Sequence, residues 1–568
     1  MNSRSYRDLI CPIRLFLLLG FFLLLGFSGC ETKTKSNQSA LLPFTGEWQG
    51  EIKNEDMQAG VDFTLKVVTA GKNIVYGTSN TWGFTDAALY WRTEEDKLIL
   101  ETNDEAHRLV ITLGLDADGA LSGEWAQVNG ITAAMTLSKT LDIPTDPYPA
   151  ITPEEKQKAV DDIFADVKEY YAAWNDSCTP EQWKAAYEPT LKRVLATTDD
   201  YSFYMEIRRF LTLLNDDHTR LDSEPGYIYY DKWKTPIMFM WFPDGYYIMG
   251  GSEDALAMLP MYSKIVKIDG MDTQEYLEKN VYPFYWHGKA DSAMANNGAH
   301  SLAVIGEPNS KQDFEVVTPN GERIKASIPR VPSYKCYDSW VSSPKLKTDH
   351  EVTSLYSSDN MQAEWIDGDI LRITITSFQS QDVVNDFVWQ KDNVENAKGV
   401  IIDVRINNGG NTVYGAAIAK YFIDGSFTPP YTKVNMYSEN TDSVVTPEPI
   451  IPTEVGLGQF KMPVAVLQRY TCVSAGEDFL DYMRSAYDVK SFGTESWGAT
   501  GTPHKRNIPN GVVRISTYEA VAHDGTPYLN IGIPPDEFIE EQIQDYIDGY
   551  DRTLDAAVEY LKDKVTMQ

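Results

Sequence analysis

Arg469-Tyr470-Thr471-Cys472-Val473-Ser474-Ala475-Gly476-Glu477-Asp478-Phe479 follows the apolar run Met462-Pro463-Val464-Ala465-Val466-Leu467 and leads into Leu480, Tyr482 and Met483. The pattern predicts a buried strand, a tight Ser-Ala-Gly turn and a helix. Such a turn lifts a hydroxyl clear of the backbone and sets it beside helix N–H groups able to stabilise an oxyanion. Cys472 stands where a Gly-x-Ser-x-Gly turn has its first glycine, so only half of that pattern is present. A serine here serves equally well as a helix cap. Glu477 and Asp478 suit the first turn of the helix on either reading, and Cys472 is not taken as a nucleophile.

Working outward, Gly399-Val400-Ile401-Ile402-Asp403-Val404 reads as a buried central strand. It ends in Arg405-Ile406-Asn407-Asn408-Gly409-Gly410-Asn411 and a helix through Val413, Ala416, Ala417, Ala419 and Phe422. Two glycines between strand and helix allow unusual dihedrals and leave N–H groups unobstructed, the form of half an oxyanion hole. The turn lacks the lysine and spacing of a phosphate-binding loop and is not a dinucleotide turn. With Leu371-Arg372-Ile373-Thr374-Ile375 as a further strand, the alternation predicts an α/β core over 331–568 with its chemistry at strand ends. A polar stretch over 340–362 reads as irregular, and a final helix carrying Ala556, Val558 and Leu561 is free to pack on the core or meet another subunit.

Upstream, 43–140 shows short alternating runs, such as Phe63-Thr64-Leu65-Lys66-Val67 and Lys97-Leu98-Ile99-Leu100, divided by Gly, Asn and Asp. An antiparallel barrel or sandwich with an accessory role follows; His107 reads as a strand-surface residue. Prolines 144, 147, 149 and 153 mark a linker. Residues 150–229 read as helices that exit into Asn215-Asp216-Asp217-His218-Thr219, where a histidine at an element boundary is a candidate functional residue. Residues 230–330 return to strands with one amphipathic helix around Thr273, Tyr276 and Leu277, a small β-rich module whose free edge suits a peptide, or else a packing domain.

The chain has 568 residues, 43% of them apolar, enough for several domains with real cores. A formal charge of −32 disfavours nucleic acid and anionic membrane surfaces as partners. Arg4, Arg7 and Arg14 precede an apolar run shorter than a spanning helix, ending Gly26-Phe27-Ser28-Gly29-Cys30. This resembles a bacterial lipoprotein leader over 1–29. It implies lipidation at Cys30, a tether over 30–42 and a place in the cell envelope, on the periplasmic or extracellular face and expected at the outer membrane. Cys178, Cys336 and Cys472 are too few and too scattered for a disulfide framework. The dispersed histidines form no metal motif, and no metal or cofactor is expected.

Four segments taken in order, Asp403-Val404-Arg405-Ile406-Asn407-Asn408-Gly409-Gly410, Ser474-Ala475-Gly476-Glu477, Gly493-Thr494-Glu495-Ser496-Trp497-Gly498 and Gly532-Ile533-Pro534-Pro535-Asp536, resemble the C-terminal processing (tail-specific) serine peptidases of family S41. The resemblance implies a ClpP/crotonase-like α/β catalytic core, a PDZ-like domain at 230–330 and a peptide or protein substrate. It makes Ser474 the nucleophile and puts Gly409 or Gly410 with the Ala475 amide at the oxyanion hole. The Ser-Lys branch of the family places its lysine where this chain has Ala499, and Lys505 lies beyond Gly501 and Pro503. The tricorn-like branch draws a histidine from a turn matching His218, whose reference pKa suits proton removal near neutrality. The carboxylate which that branch places just before Gly532 falls on Leu529. Asp217, Glu519, Asp524 and Asn530 remain the candidates to orient His218. The alternative is a peptidase-like lipoprotein that binds peptides or protein C-termini with little or no catalysis.

Overall fold

The computed structural model describes residues 38–567 apart from 54–59, 70–72, 103–108, 128–130, 175–176, 230–231, 290–291, 293–296, 429, 435, 439–442, 446–453 and 500. The leader, Cys30 and His107 lie outside the described residues.

Eight antiparallel strands from Gly46–Lys53 to Thr132–Leu141 close into a barrel, each paired with the next and the first with the last. Alternation explains it: Trp48, Leu65, Val67, Leu98, Leu100, Leu113 and Leu137 fill the interior, while the residues between them face outward. Closure removes the free edges that a sandwich would keep.

Three helices follow, Pro153–Tyr170, Pro180–Leu195 and Asp200–Thr212. The first two begin with proline in the first turn and a reciprocal cap, Thr152 with Glu155 and Thr179 with Gln182. Their core takes in Ile508, Val513 and Ile515 from the hairpin Pro503–Ile508 and Gly511–Ser516. Arg506 grips Asp166 through two 2.6 Å bonds, which anchors that hairpin to the first helix. The strand Arg220–Ser223, just after His218, pairs with Gly511–Ser516.

A second antiparallel sheet has the main order Ile237–Phe242, Gly245–Ser252, Lys264–Ile268, Lys311–Val317, Arg323–Pro329, with helix Thr273–Asn280 packed on it. Its apolar core also contains Trp497 and Ala499 from the final third of the chain.

That final third is built on a seven-stranded sheet in the order Val352–Ser357, Met361–Ile366, Ile370–Ile375, Gly399–Asp403, Val464–Gln468, Val489–Gly493, Glu537–Phe538. The first three strands run antiparallel and the remainder parallel. The central strands are continuously apolar because both faces are covered. Val400, Ile402, Val464 and Val466 face helices Thr412–Ala419 and Ala475–Met483, while Ile401, Ala465 and Leu467 face the last helix, Arg552–Met567. Leu554, Val558 and Leu561 are fully buried there, each worth roughly 1.5–3 kcal/mol against exposure. The last helix therefore packs on its own core. Val352–Ser357 falls inside the stretch read as irregular; nearly all its side chains are exposed, so it shows no alternation to read.

Below the glycine turn, the partly buried Arg405 lies between two buried carboxylates, bonding Asp403 at 3.0 and 2.8 Å and Asp551 twice at 2.8 Å. Arg372 reaches Asp403 at 2.7 Å, and the two guanidiniums hold the Asp403 carboxyl well below the usual range although burial opposes them. Asp551→Ala leaves Arg405 half-paired in the interior. It should lower the unfolding free energy by about 3 kcal/mol, seen as a lower urea midpoint at unchanged slope.

Candidate functional site

Strand Val464–Gln468 delivers the chain to Ser474 at the head of helix Ala475–Met483, every residue of which is buried. Ser474 has φ +58° and ψ −123°, a region that non-glycine residues occupy only under constraint. The Glu477 N–H donates to the Ser474 carbonyl at 2.7 Å, and Ser474 and Glu477 also form a capping box at the head of the helix. Cys472 is fully buried in the core, and burial pushes its thiol well up, as befits a packing residue.

The glycine turn comes directly against this elbow. A Cβ on Gly409, at φ +81°, would lie 2.9 Å from both Ser474 Cβ and the Val473 oxygen. A Cβ on Gly410, at φ +139°, would lie 2.2 Å from the Phe378 carbonyl carbon. Neither position admits a side chain. Asn407 builds the approach: its carbonyl accepts from Val473 N at 3.1 Å, its Oδ1 from Gly409 N at 2.9 Å, and its Nδ2 donates to Ile375 O at 3.1 Å. Gly409's amide is therefore spent internally. The amides of Gly410 and Ala475 donate to no acceptor among the described residues. Asn407 lies inside one of the four motifs, but nothing local to the sequence distinguishes its amide from that of Asn408.

Glu477 lies beneath the elbow with no solvent exposure. Its Oε1 accepts from Ser496 Oγ at 2.6 Å and Gly498 N at 2.7 Å, and its Oε2 from Ala499 N at 3.0 Å and Ser474 N at 3.1 Å. Burial raises the carboxyl to about 7 against the lowering effect of these four bonds. Its neighbour Asp478 is pushed by burial to about 6 and bonds Thr412, away from the elbow.

Asp216 shapes the His218 turn. Its Oδ1 accepts from His218 N at 2.9 Å, and its Oδ2 from Thr219 Oγ1 at 2.8 Å and Ser516 Oγ at 2.6 Å. Asn530 fastens the same turn on its other flank, donating through Nδ2 to Asn215 O at 2.9 Å, accepting from Trp286 Nε1 at 2.6 Å, and donating its own N–H to Gly498 O at 2.7 Å. Since Ser474 N also donates to Ala499 O at 3.1 Å, the serine elbow and the histidine turn are both tied to the loop 496–499.

Among the described residues no hydrogen bond joins the Ser474 hydroxyl to His218, and His218 Nδ1 is buried without a partner. Burial first, then the Arg514 and Arg220 guanidiniums, bring the imidazole down to about 3 against the pull of Asp217. None of the four candidate orienting residues bonds the ring. Asp217 is paired with Arg220 at 2.8 Å, and Glu519 lies 3.7 Å from Lys433. Asp524 sits on an exposed turn bonded to Thr526, and both polar atoms of the Asn530 side chain are engaged elsewhere. Ala499 is fully buried, and Lys505 is exposed and paired with Asp222 at 2.9 Å. Among the described residues no cluster of His, Cys, Asp and Glu could hold a metal ion.

Residues 369–539 match the model of peptidase family S41. Mature CPAF complexed with lactacystin superposes with a TM-score of 0.54 at 15% identity, covering 74% of this chain and all of that one. A second structure of mature CPAF gives 0.52 at 15% identity, covering 73% and 96%. The photosystem II D1 C-terminal processing protease aligns at 0.37 and 13% identity, covering 68% and 93%.

Two outcomes follow from this geometry. Gly409→Ala forces a methyl group into the elbow at a positive φ and should destabilise the core by about 1–3 kcal/mol, measured by urea unfolding. The second concerns pH. Unfolded His218 takes its proton near 6.5 and the folded residue only near 3, so the unfolded state binds more protons between these values and stability falls as pH falls below 6.5. At pH 5 this amounts to about 2 kcal/mol. His218→Gln should flatten the pH dependence of the urea midpoint between pH 7 and 5 by that amount.

Proposed function

We propose that this chain, a member of peptidase family S41, hydrolyses peptide bonds as a serine endopeptidase or C-terminal processing peptidase through an acyl-enzyme at Ser474. The reading rests on one observation: a serine held at positive φ on the tip of a buried helix, beside two backbone amides, of Gly410 and Ala475, that donate to no acceptor among the described residues. His218, neutral at physiological pH, takes the Ser474 proton as Oγ attacks the substrate carbonyl carbon. The Gly410 and Ala475 amides receive the oxyanion, a contribution on the order of 10²–10³ in rate for each donor. His218 then passes its proton to the departing amine, and water, deprotonated by the same imidazole, releases the carboxylic acid and regenerates Ser474. A histidine base and an apolar Ala499 support the tricorn-like branch over a Ser-Lys dyad.

The second reading is a peptide-binding protein with weak catalysis, and one observation favours it. Among the described residues His218 Nδ1 has no acceptor to stabilise an imidazolium, and Arg514 opposes that charge. The sheet running from Ile237–Phe242 to Arg323–Pro329 supports a PDZ-like role on both readings, its exposed edge taking an extended peptide by strand addition. The domain scheme has a leader at 1–29, a tether at 30–42, an accessory barrel at 43–140, a helical segment at 150–229, a PDZ-like domain at 230–330 and a peptidase core at 331–568. It places the molecule in the bacterial envelope, held by a lipid on Cys30. No helix among the described residues is long and apolar enough to cross a membrane.

Treatment with a fluorophosphonate, read by intact mass, tests the mechanism. One adduct on the wild type, absent from Ser474→Ala and formed at least about 100-fold more slowly by His218→Ala, is the expected result. A folded wild type that takes no adduct favours the binding protein, and an adduct that persists in Ser474→Ala rejects Ser474 as nucleophile.

A further inference from the structure

We propose that Glu477 is a positioning residue for Ser474, its buried carboxylate clasping the serine elbow to the loop 496–499 and holding the hydroxyl in its reactive conformation. The proposal rests on the reading of Ser474 as nucleophile. A non-glycine residue stays at positive φ only where its surroundings over-determine it, and here the determinants can be named. The Ser474 N–H faces two acceptors, Glu477 Oε2 at 3.1 Å and the Ala499 carbonyl at 3.1 Å. Rotating the elbow to negative φ would abandon both.

The loop that supplies the second acceptor depends on the same carboxylate. Gly498 N and Ala499 N both end on Glu477, and Ser496 Oγ reaches it at 2.6 Å. Ser496 Oγ in turn accepts from Ile533 N at 2.7 Å, and the Ser496 carbonyl accepts from Lys289 Nζ at 2.7 Å. Every group bonded to the Glu477 side chain is a donor, and only a carboxylate presents enough lone pairs for four donors from two segments at once. An amide of the same shape cannot. The Glu477→Gln substitution would turn an NH2 group toward two of the four donors and replace two hydrogen bonds with donor–donor contacts. Its bond from the Ser474 N–H is the one an N3 acid makes to the N-cap in a capping box, and its other bonds go beyond that motif. Three of its four bonds leave the helix for the loop 496–499.

Full-length protein purified in detergent is compared as wild type, Glu477→Gln, Ser496→Ala and the double variant, by fluorophosphonate labelling kinetics and by peptide-level hydrogen exchange over 472–479 and 496–499. Glu477→Gln should lower the maximal labelling rate about 10- to 100-fold while the half-saturating probe concentration stays within about twofold. Amide exchange should rise at least about tenfold in both segments. A residue that merely supports the fold would change neither this ratio nor exchange confined to these two segments. Ser496→Ala removes one donor and should slow labelling about 3- to 10-fold. The double variant should lose less than the product of the two, since the alanine removes a donor that glutamine would orphan. Wild-type labelling together with unchanged exchange in Glu477→Gln overturns the proposal. Should that variant not fold, unchanged labelling and exchange in Ser496→Ala does the same. If the wild type takes no adduct, or Ser474→Ala still takes one, the reading of Ser474 fails, and the exchange measurements still decide whether the clasp exists.

Discussion

One buried carboxylate receiving four hydrogen bonds holds this site together. Taking a carboxylate out of water costs several kcal/mol, while charge-assisted hydrogen bonds return roughly 1.5–3 kcal/mol each. The elevation of Glu477 to about 7 shows desolvation prevailing over its partners. What the arrangement yields is geometric: the first turn of a buried helix and a loop some twenty residues further along are locked to each other. Without the lock, the Ser474 N–H keeps the Ala499 carbonyl as its acceptor but loses the tie to the helix first turn.

The remainder of the core brings the glycine turn to this lock at the right height. Strands Gly399–Asp403 and Val464–Gln468 are parallel and adjacent, so both turns emerge at the same end of the sheet. Thr471 Oγ1 bonds the Arg405 carbonyl, and Asn407 ties Val473 to Gly409, so the two turns are joined at successive levels as they leave the strands. Arg405 anchors the base through Asp403 and Asp551. Gly409 is then close enough to Ser474 that a methyl group cannot intervene.

The elements legible in the sequence are those whose cause is local. Alternation in Phe63-Thr64-Leu65-Lys66-Val67 predicts a strand wherever it pairs, and an unbroken apolar run such as Val400-Ile401-Ile402 predicts a strand covered on both faces. The Ser-Ala-Gly and Gly-Gly turns are legible because few conformations suit them. Long-range hydrogen bonds decide what is not legible. Glu477 reads as a helix first-turn acid and becomes a hub only because Ser496, Gly498 and Ala499 return to it. Gly409 reads as an open amide, yet Asn407 closes it. Val352–Ser357 is exposed along nearly its whole length, so only its neighbour in the sheet reveals it as a strand. The four candidates for orienting His218 stand out by nearness in sequence or by chemistry, and each has a different partner in space.

Ala499, on which the proposed reading turns away from a Ser-Lys dyad, lies in surroundings that suit an apolar side chain. It is fully buried in the apolar core of the second sheet together with Trp497, which stacks on Trp286 at 5.6 Å between ring centroids. A lysine there would bring an ammonium and a long stem into a cluster that holds an alanine, adding both overpacking and an unpaired buried charge. The loop 496–499 is a packing surface for the neighbouring module. Its backbone is still turned toward Ser474 through the Ala499 carbonyl, and toward the His218 turn through Gly498 and Asn530. Residues 496–499 thus touch the serine elbow, the histidine turn and the second sheet at once, so the spacing between Ser474 and His218 depends on how that sheet sits against the core.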